Sequence, residues 1–233
     1  MRNDMPHVVE ANGIQGTGGR HQVGRLNTNL LFKDEHMSVM KNLALSLSLA
    51  LASALLSPAH AVVEVAGVKF EDTYSLAGQP LQLNGAGLRK MMFIKVYTLG
   101  LYVQKKEATA QGLLDAPGYK SMHVVLKRDV KAQKLIDALV FGVENNTPEA
   151  ELKDLRPRLE HLANGLRAAG EIEEDAIVKI EFVPGLGTVV SHNNKILVKN
   201  LPGEDFYRAL MRIWLGEKPA DRGLKARLLG ETD

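Results

Sequence analysis

A chain of 233 residues with 45% hydrophobic and 24% charged residues has the make-up of one ordinary globular domain, which excludes disorder throughout. Its 29 Lys and Arg stand against 27 Asp and Glu, a formal charge of +2 with no basic block, so nucleic acid is not an expected partner. The absence of cysteine removes disulfides, thiolate catalysis and cysteine-based zinc sites, and it suits export, where stray thiols would be oxidised.

Residues 1–36 are polar and Gly-rich, without the apolar periodicity of a helix or strand. They read either as a disordered leader or as an over-extended gene start, since Met37 and Met40 could each begin a signal peptide. Residues 37–61 have the form of such a secretory signal. Met40, Lys41 and Asn42 give a short positive start, Leu43 to Leu56 an apolar run, and Ala59-His60-Ala61 a small-residue cleavage site before Val62. The run is 14 residues, short of the roughly 18 to 20 that cross a bilayer as a helix. The expectation is cleavage after Ala61, no integral membrane anchor afterwards, and a periplasmic or secreted protein.

From Val62 onward the elements can be taken in order. Val63 to Tyr74 predicts one or two short strands broken near Gly67, and Leu81 and Leu83 begin another. Gly85-Ala86-Gly87 reads as a Gly-flanked turn before Arg89. Lys90 to Gln104 is almost wholly apolar and predicts a central strand buried on both faces, and Tyr119 to Lys127 predicts one more. Ala132, Leu135, Ile136, Leu139, Val140 and Val143 share one helical face that ends at Asn145-Asn146. Thr147 then reads as an N-cap with Pro148 at the first helical position. Leu152, Leu155, Leu159, Leu162 and Leu166 form a second stripe, which Pro157 is expected to bend or split. Residues 176–183, 187–192 and 195–200 predict an antiparallel meander with turns at Pro184-Gly185 and Asn193-Asn194. Glu204 to Leu215 is a helix apolar around most of its circumference, and Asp221 to Leu229 a last short one. Strands, helices, strands and helices in that order argue for an α+β fold, an antiparallel sheet covered by helices.

Phe93-Ile94-Lys95-Val96-Tyr97-Thr98-Leu99-Gly100-Leu101-Tyr102, preceded by Gly85 to Arg89, resembles the chalcone isomerase superfamily, most closely its bacterial exported chalcone isomerase-like members. A second matching region runs from Pro202-Gly203-Glu204-Asp205-Phe206-Tyr207-Arg208-Ala209-Leu210 through Ile213-Trp214-Leu215-Gly216 to Leu228-Leu229-Gly230. The resemblance implies one chalcone isomerase-like domain over 62–233, folded as an open-faced β-sandwich. In the family's plant enzymes an arginine near the Gly-rich turn and a strand threonine help to bind and polarise the substrate. Arg89 matches that arginine in type, while Tyr97 occupies the threonine position. A tyrosine there with an upstream arginine looks like the family's fatty-acid-binding relatives, where the pair holds a carboxylate.

These residues admit three readings. In the first, the chain binds a small apolar anion such as a fatty acid, with Arg89 on the charged head, Tyr97 donating a hydrogen bond, and as secondary candidates Lys95, which strand parity puts on the face of Tyr97, and Tyr102 on the other face. In the second it is an intramolecular lyase of the chalcone isomerase type, an isomerase in which Arg89 and Tyr97 would be catalytic and stabilise an enolate. In the third it is a non-catalytic envelope accessory protein with no ligand. For each residue a structural role stands as the alternative: a strand-end arginine, and a core tyrosine with a backbone partner. The ligand readings also need a turn, because eight residues of continuous strand would hold Arg89 and Tyr97 about 26 Å apart. Residues 90–96 contain no Gly, Pro, Asn or Asp to make one.

No metal or cofactor is expected. His123, His161 and His192 lack metal-ligand spacing. Gly185-Leu186-Gly187 lacks the third glycine and the helix of a dinucleotide loop. Ser191-His192 has no acid partner in a hydrolase motif, and Asp129 and Glu173-Glu174-Asp175 read as a helix cap and a solvated loop.

Overall fold

The computed structural model describes residues 62–231. The leader and signal segment expected over 1–61 lie outside the described residues. The strands are β1 (Val62–Val65), β2 (Val68–Glu71), β3 (Thr73–Leu76), β4 (Gln79–Met91), β5 (Ile94–Val103), β6 (Lys120–Leu126), β7 (Val130–Lys131), β8 (Glu171–Ile172), β9 (Ile177–Val183), β10 (Gly187–His192) and β11 (Lys195–Leu201). The helices are α1 (Ala110–Asp115), α2 (Ala132–Asn146), α3 (Glu149–Arg167), α4 (Glu204–Leu215) and α5 (Arg222–Leu228).

Seven strands make one antiparallel sheet in the order β11-β10-β9-β6-β5-β4-β3. Strand alternation divides its residues between two faces. Tyr97, Leu99, Leu101, Met122, Val124, Leu126, Val178 and Ile180 point into the main core, against the apolar sides of all five helices. Tyr102, Val125 and Ala86 point the other way, into a smaller core that Phe70 of the β1–β2 hairpin helps to close. The α+β class expected from the element order is the one observed.

The last helix explains the two glycines before Arg89. Gly85 and Gly87 are not in a turn; they sit inside β4, opposite Leu101 and Leu99. A Cβ on Gly85 would lie within 2.0 Å of the Arg227 carbonyl oxygen, and one on Gly87 within 2.8 Å of the Arg227 and Leu224 side chains. The glycines therefore let α5 lie directly on the strand. Asn84 secures the contact: its amide donates to the carbonyls of Leu228 (2.7 Å) and Glu107 (3.0 Å) and its oxygen accepts from Glu107 N–H (2.8 Å).

The central strand is also shorter than its composition suggests. Met92 and Phe93 form a two-residue turn, so residues 90–104 are not one buried strand, and Lys90 to Lys95 are exposed. Met92 has φ 58 while Phe93 is not in the left-handed region, the pattern of a II′ hairpin turn that glycine normally opens. At the next helix boundary, Thr147 does not cap α3; Pro148 occupies the N-cap and α3 begins at Glu149. Pro157 lies within α3 without splitting it. The short α1, capped by Thr109 Oγ1 accepting from Gly112 N–H at 3.0 Å, has no strong periodic signal in the sequence.

Candidate functional site

Register brings the two candidate residues together. Met91 faces Ile94 across the turn and Lys90 faces Lys95, after which the ladder skips Val96 and sets Arg89 directly opposite Tyr97. This irregularity acts as a β-bulge, and a one-residue slip changes which side chains share a face. Without it Arg89 would oppose Val96. With it, the Arg89 guanidinium carbon sits 5.5 Å from the centre of the Tyr97 ring, on the helix-covered side.

Beneath them is a cavity of about 870 Å³, bounded by β5, β6, β9 and β10 of the sheet and by α2, α3 and α4. Its size falls within the roughly 300–1,000 Å³ of small-molecule sites. The sheet contributes Val124, Leu126, Val178 and Ile180, and the helices contribute Leu139 and Leu166 among others. The interior is thus aliphatic, and both Arg89 and Tyr97 line it. Exposed residues Arg128, Lys131 and Lys134 also line it, so it opens to the surface.

The polar groups at the head of this cavity are incompletely matched. Trp214 Nε1 donates to Tyr97 Oη at 2.6 Å, in the buried interior. Indole nitrogen only donates, so the phenol is the acceptor and keeps its own O–H proton for another group. Among the described residues no acceptor for that proton is found, and Arg89 Nε is buried without a hydrogen-bond partner. Asp221, near enough to push the Tyr97 phenol further up, makes no ion pair with Arg89 among the described residues: its carboxylate accepts from Leu224 N–H at 2.9 Å and Lys90 N–H at 3.3 Å. Burial pushes the Tyr97 phenol above its ordinary pKa, against the opposing pulls of Arg89 and the indole hydrogen bond. Tyr97 is therefore a neutral hydrogen-bond donor at physiological pH. A fixed cation and a neutral donor, side by side over an aliphatic void, can hold a carboxylate or another developing oxyanion.

Lys95 and Tyr102 are placed elsewhere. Lys95 is exposed and does not line the cavity, because the bulge at Val96 breaks the alternation that would have put it beside Tyr97. Tyr102 is buried on the opposite face, its ring 4.6 Å from that of His123. Trp214 is the site residue that the sequence disguises as an ordinary core position of an apolar helix. Part of a signal is present: it is the chain's only tryptophan, and a buried indole N–H needs an acceptor.

The fold thus sets helices on one face of an antiparallel sheet, with an apolar cavity between them and a basic group at its head. The family model described as chalcone isomerase-like matches residues 62–230, and the chain belongs to that family. Among similar solved structures is a crystal structure of a fatty-acid binding protein from Arabidopsis thaliana, at 16% identity and a TM-score of 0.59. The match covers 72% of this chain and 96% of that one. At that identity the likeness shows the shared fold. A search of curated proteins found no match.

Proposed function

We propose that this protein binds a small apolar carboxylate, such as a fatty acid, with the carboxylate between Arg89 and Tyr97 and the tail in the aliphatic cavity. One observation carries the reading: Arg89 Nε and the Tyr97 O–H proton are both left over at the head of a cavity that is otherwise apolar. Leaving buried donors unmade costs about 1–3 kcal/mol each, which a ligand oxygen recovers. The related fold of a fatty-acid binding protein supports the same ligand class. The signal-peptide pattern ending at Ala61 supports an exported, periplasmic or secreted location, tested by whether the protein recovered outside the cytoplasm begins at Val62.

Trp214 is the natural reporter, being the only indole and hydrogen-bonded to the proposed ligand residue. Titration with a long-chain fatty acid should change its emission and saturate. Arg89→Ala should weaken that binding; an unchanged affinity, or no emission change and no co-purifying lipid in the wild type, sinks the proposal. The neutral Tyr97 beside Arg89 would equally suit an enolate, so the isomerase reading keeps its own test. Loss of chalcone absorbance with the wild type but not with Arg89→Ala would establish it.

A further inference from the structure

The β4–β5 hairpin ends in four consecutive apolar residues that the other described residues leave exposed. Met91 is 55% exposed, Met92 86%, Phe93 97% and Ile94 50%. A turn built for stability would place Gly or Asn here, since Met92 adopts a left-handed φ of 58. Instead two of the largest apolar side chains stand in water at the tip. Met91 also lines the cavity, as does Phe141, itself 67% exposed, so the apolar tip continues into the cavity opening.

Charge surrounds this patch. Lys90 and Lys95 are directly opposite each other one step below Met91 and Ile94, a like-charge cross-strand pair that disfavours the hairpin by itself. Arg128, Lys131, Lys134 and Lys218 line the opening, against Asp129 and Glu171. Among the described residues, none of these six cations makes an ion pair. An apolar tip flanked by unpaired lysines matches an anionic bilayer, which offers acyl chains to the tip and phosphates to the collar.

We propose that the 91–94 hairpin tip inserts into the surface of an anionic membrane and holds the cavity opening against it. Exchange of the carboxylate with the bilayer rests on the ligand reading above; docking does not. Insertion buries Met92 and Phe93 among acyl chains while Lys90 and Lys95 remain at the phosphate level, where long lysine stems reach past apolar surface. The arrangement gives an insoluble ligand a route that avoids water.

The cysteine-free chain makes the test direct. Met92→Cys in the full chain, labelled with an environment-sensitive fluorophore, is compared with Lys106→Cys, which lies past the far end of β5, roughly 33 Å away along the strand. Vesicles of equimolar phosphatidylcholine and phosphatidylglycerol should shift the emission at 92 to the blue and leave 106 unchanged. Phosphatidylcholine alone should give a weaker response. Adding Lys90→Glu and Lys95→Glu should weaken the partitioning seen at 92 by about tenfold or more, as lost lipid charge contacts and new repulsion combine. Equal shifts at both positions, or none at 92, overturn the proposal. So does a shift at 92 that depends on protein concentration without vesicles, which would mean that the tip packs on a second copy. Arg89→Ala separates the two ideas: it should weaken the fatty-acid response of Trp214 while the vesicle response at 92 persists unchanged. Saturable fatty-acid binding with no vesicle response would refute docking and leave the ligand reading standing.

Discussion

Each face of the sheet carries a tyrosine beside a cation, but only one face supplies the carboxylate. On the face away from the helices, Tyr74 Oη donates to Glu181 Oε1 at 2.8 Å, and Lys179 Nζ donates to Tyr74 Oη at 3.3 Å. The lysine also lies 4.9 Å from the Tyr74 ring centre. On the helix-covered face, Trp214 donates to Tyr97, Arg89 lies over the ring, and a cavity takes the place of the acid. The first arrangement pairs its phenol and lysine with an acid of the chain and packs beside the Tyr102 and His123 rings, although His123 Nε2 is itself buried without a partner. On the reading proposed above, a guest completes the second. Similar chemistry would then yield a structural knot where the anion is part of the chain, and a binding site where it is not.

The contrast is broken most sharply by removing each cation. Arg89→Ala should weaken fatty-acid binding by about 10- to 100-fold, the loss of a charge-assisted hydrogen bond worth roughly 1.5–3 kcal/mol. Lys179→Ala, on the opposite face, should leave the affinity unchanged. Trp214 emission titrations of both variants check the pair.

Glu181→Ala removes the built-in acid. Tyr74 Oη then loses its acceptor, as does the weaker donor Ser121 Oγ at 3.4 Å. Unfolding by urea should show a loss of about 1–2 kcal/mol with ligand affinity intact. Tyr97→Phe does the reverse in smaller measure. It should weaken the ligand by about tenfold, at the low end of the roughly 1.5–3 kcal/mol of a hydrogen bond to a charged group. It also leaves the Trp214 indole without its acceptor, which should appear as a modest drop in Tm.

The gentlest probe is pH. Burial, with Lys179 as a second contribution, holds the His123 imidazole down to about 3 from its ordinary 6.5. Between those values the unfolded chain takes up a proton that the folded chain refuses. Stability from this residue is therefore fully present above pH 6.5 and declines as pH falls toward about 3. In His123→Phe the part of the acid-side decline of Tm that reflects this group should disappear.

Much of this architecture was legible in the sequence, and the exceptions have one cause. Alternation at Met122, Val124 and Leu126 and the helical stripes of α2, α3 and α4 report burial in their own spacing, so strands, helices and the α+β class followed from local pattern. The 85–87 glycines did not, because a glycine required by a turn and one required by an approaching helix look the same until Arg227 and Leu224 are in place. The Met92–Phe93 turn carries no turn residues, and only the register reveals it. Arg89 and Tyr97 were identifiable as types through family likeness, but their meeting depends on that turn and on the bulge at Val96. Trp214, 117 residues from Tyr97 along the chain, could not be paired with it by any local rule. Lys95 failed as a neighbour of Tyr97 because strand parity does not survive a bulge.

If the helix-side pair waits for a carboxylate, selectivity for that group reveals it best. The affinity of the wild type for a long-chain fatty acid is compared with that for the primary alcohol of equal length, and the comparison is repeated with Arg89→Ala. The wild type should prefer the acid by about tenfold or more, and Arg89→Ala should abolish the preference. Equal affinity of the wild type for acid and alcohol, or a preference that survives in Arg89→Ala, would contradict it.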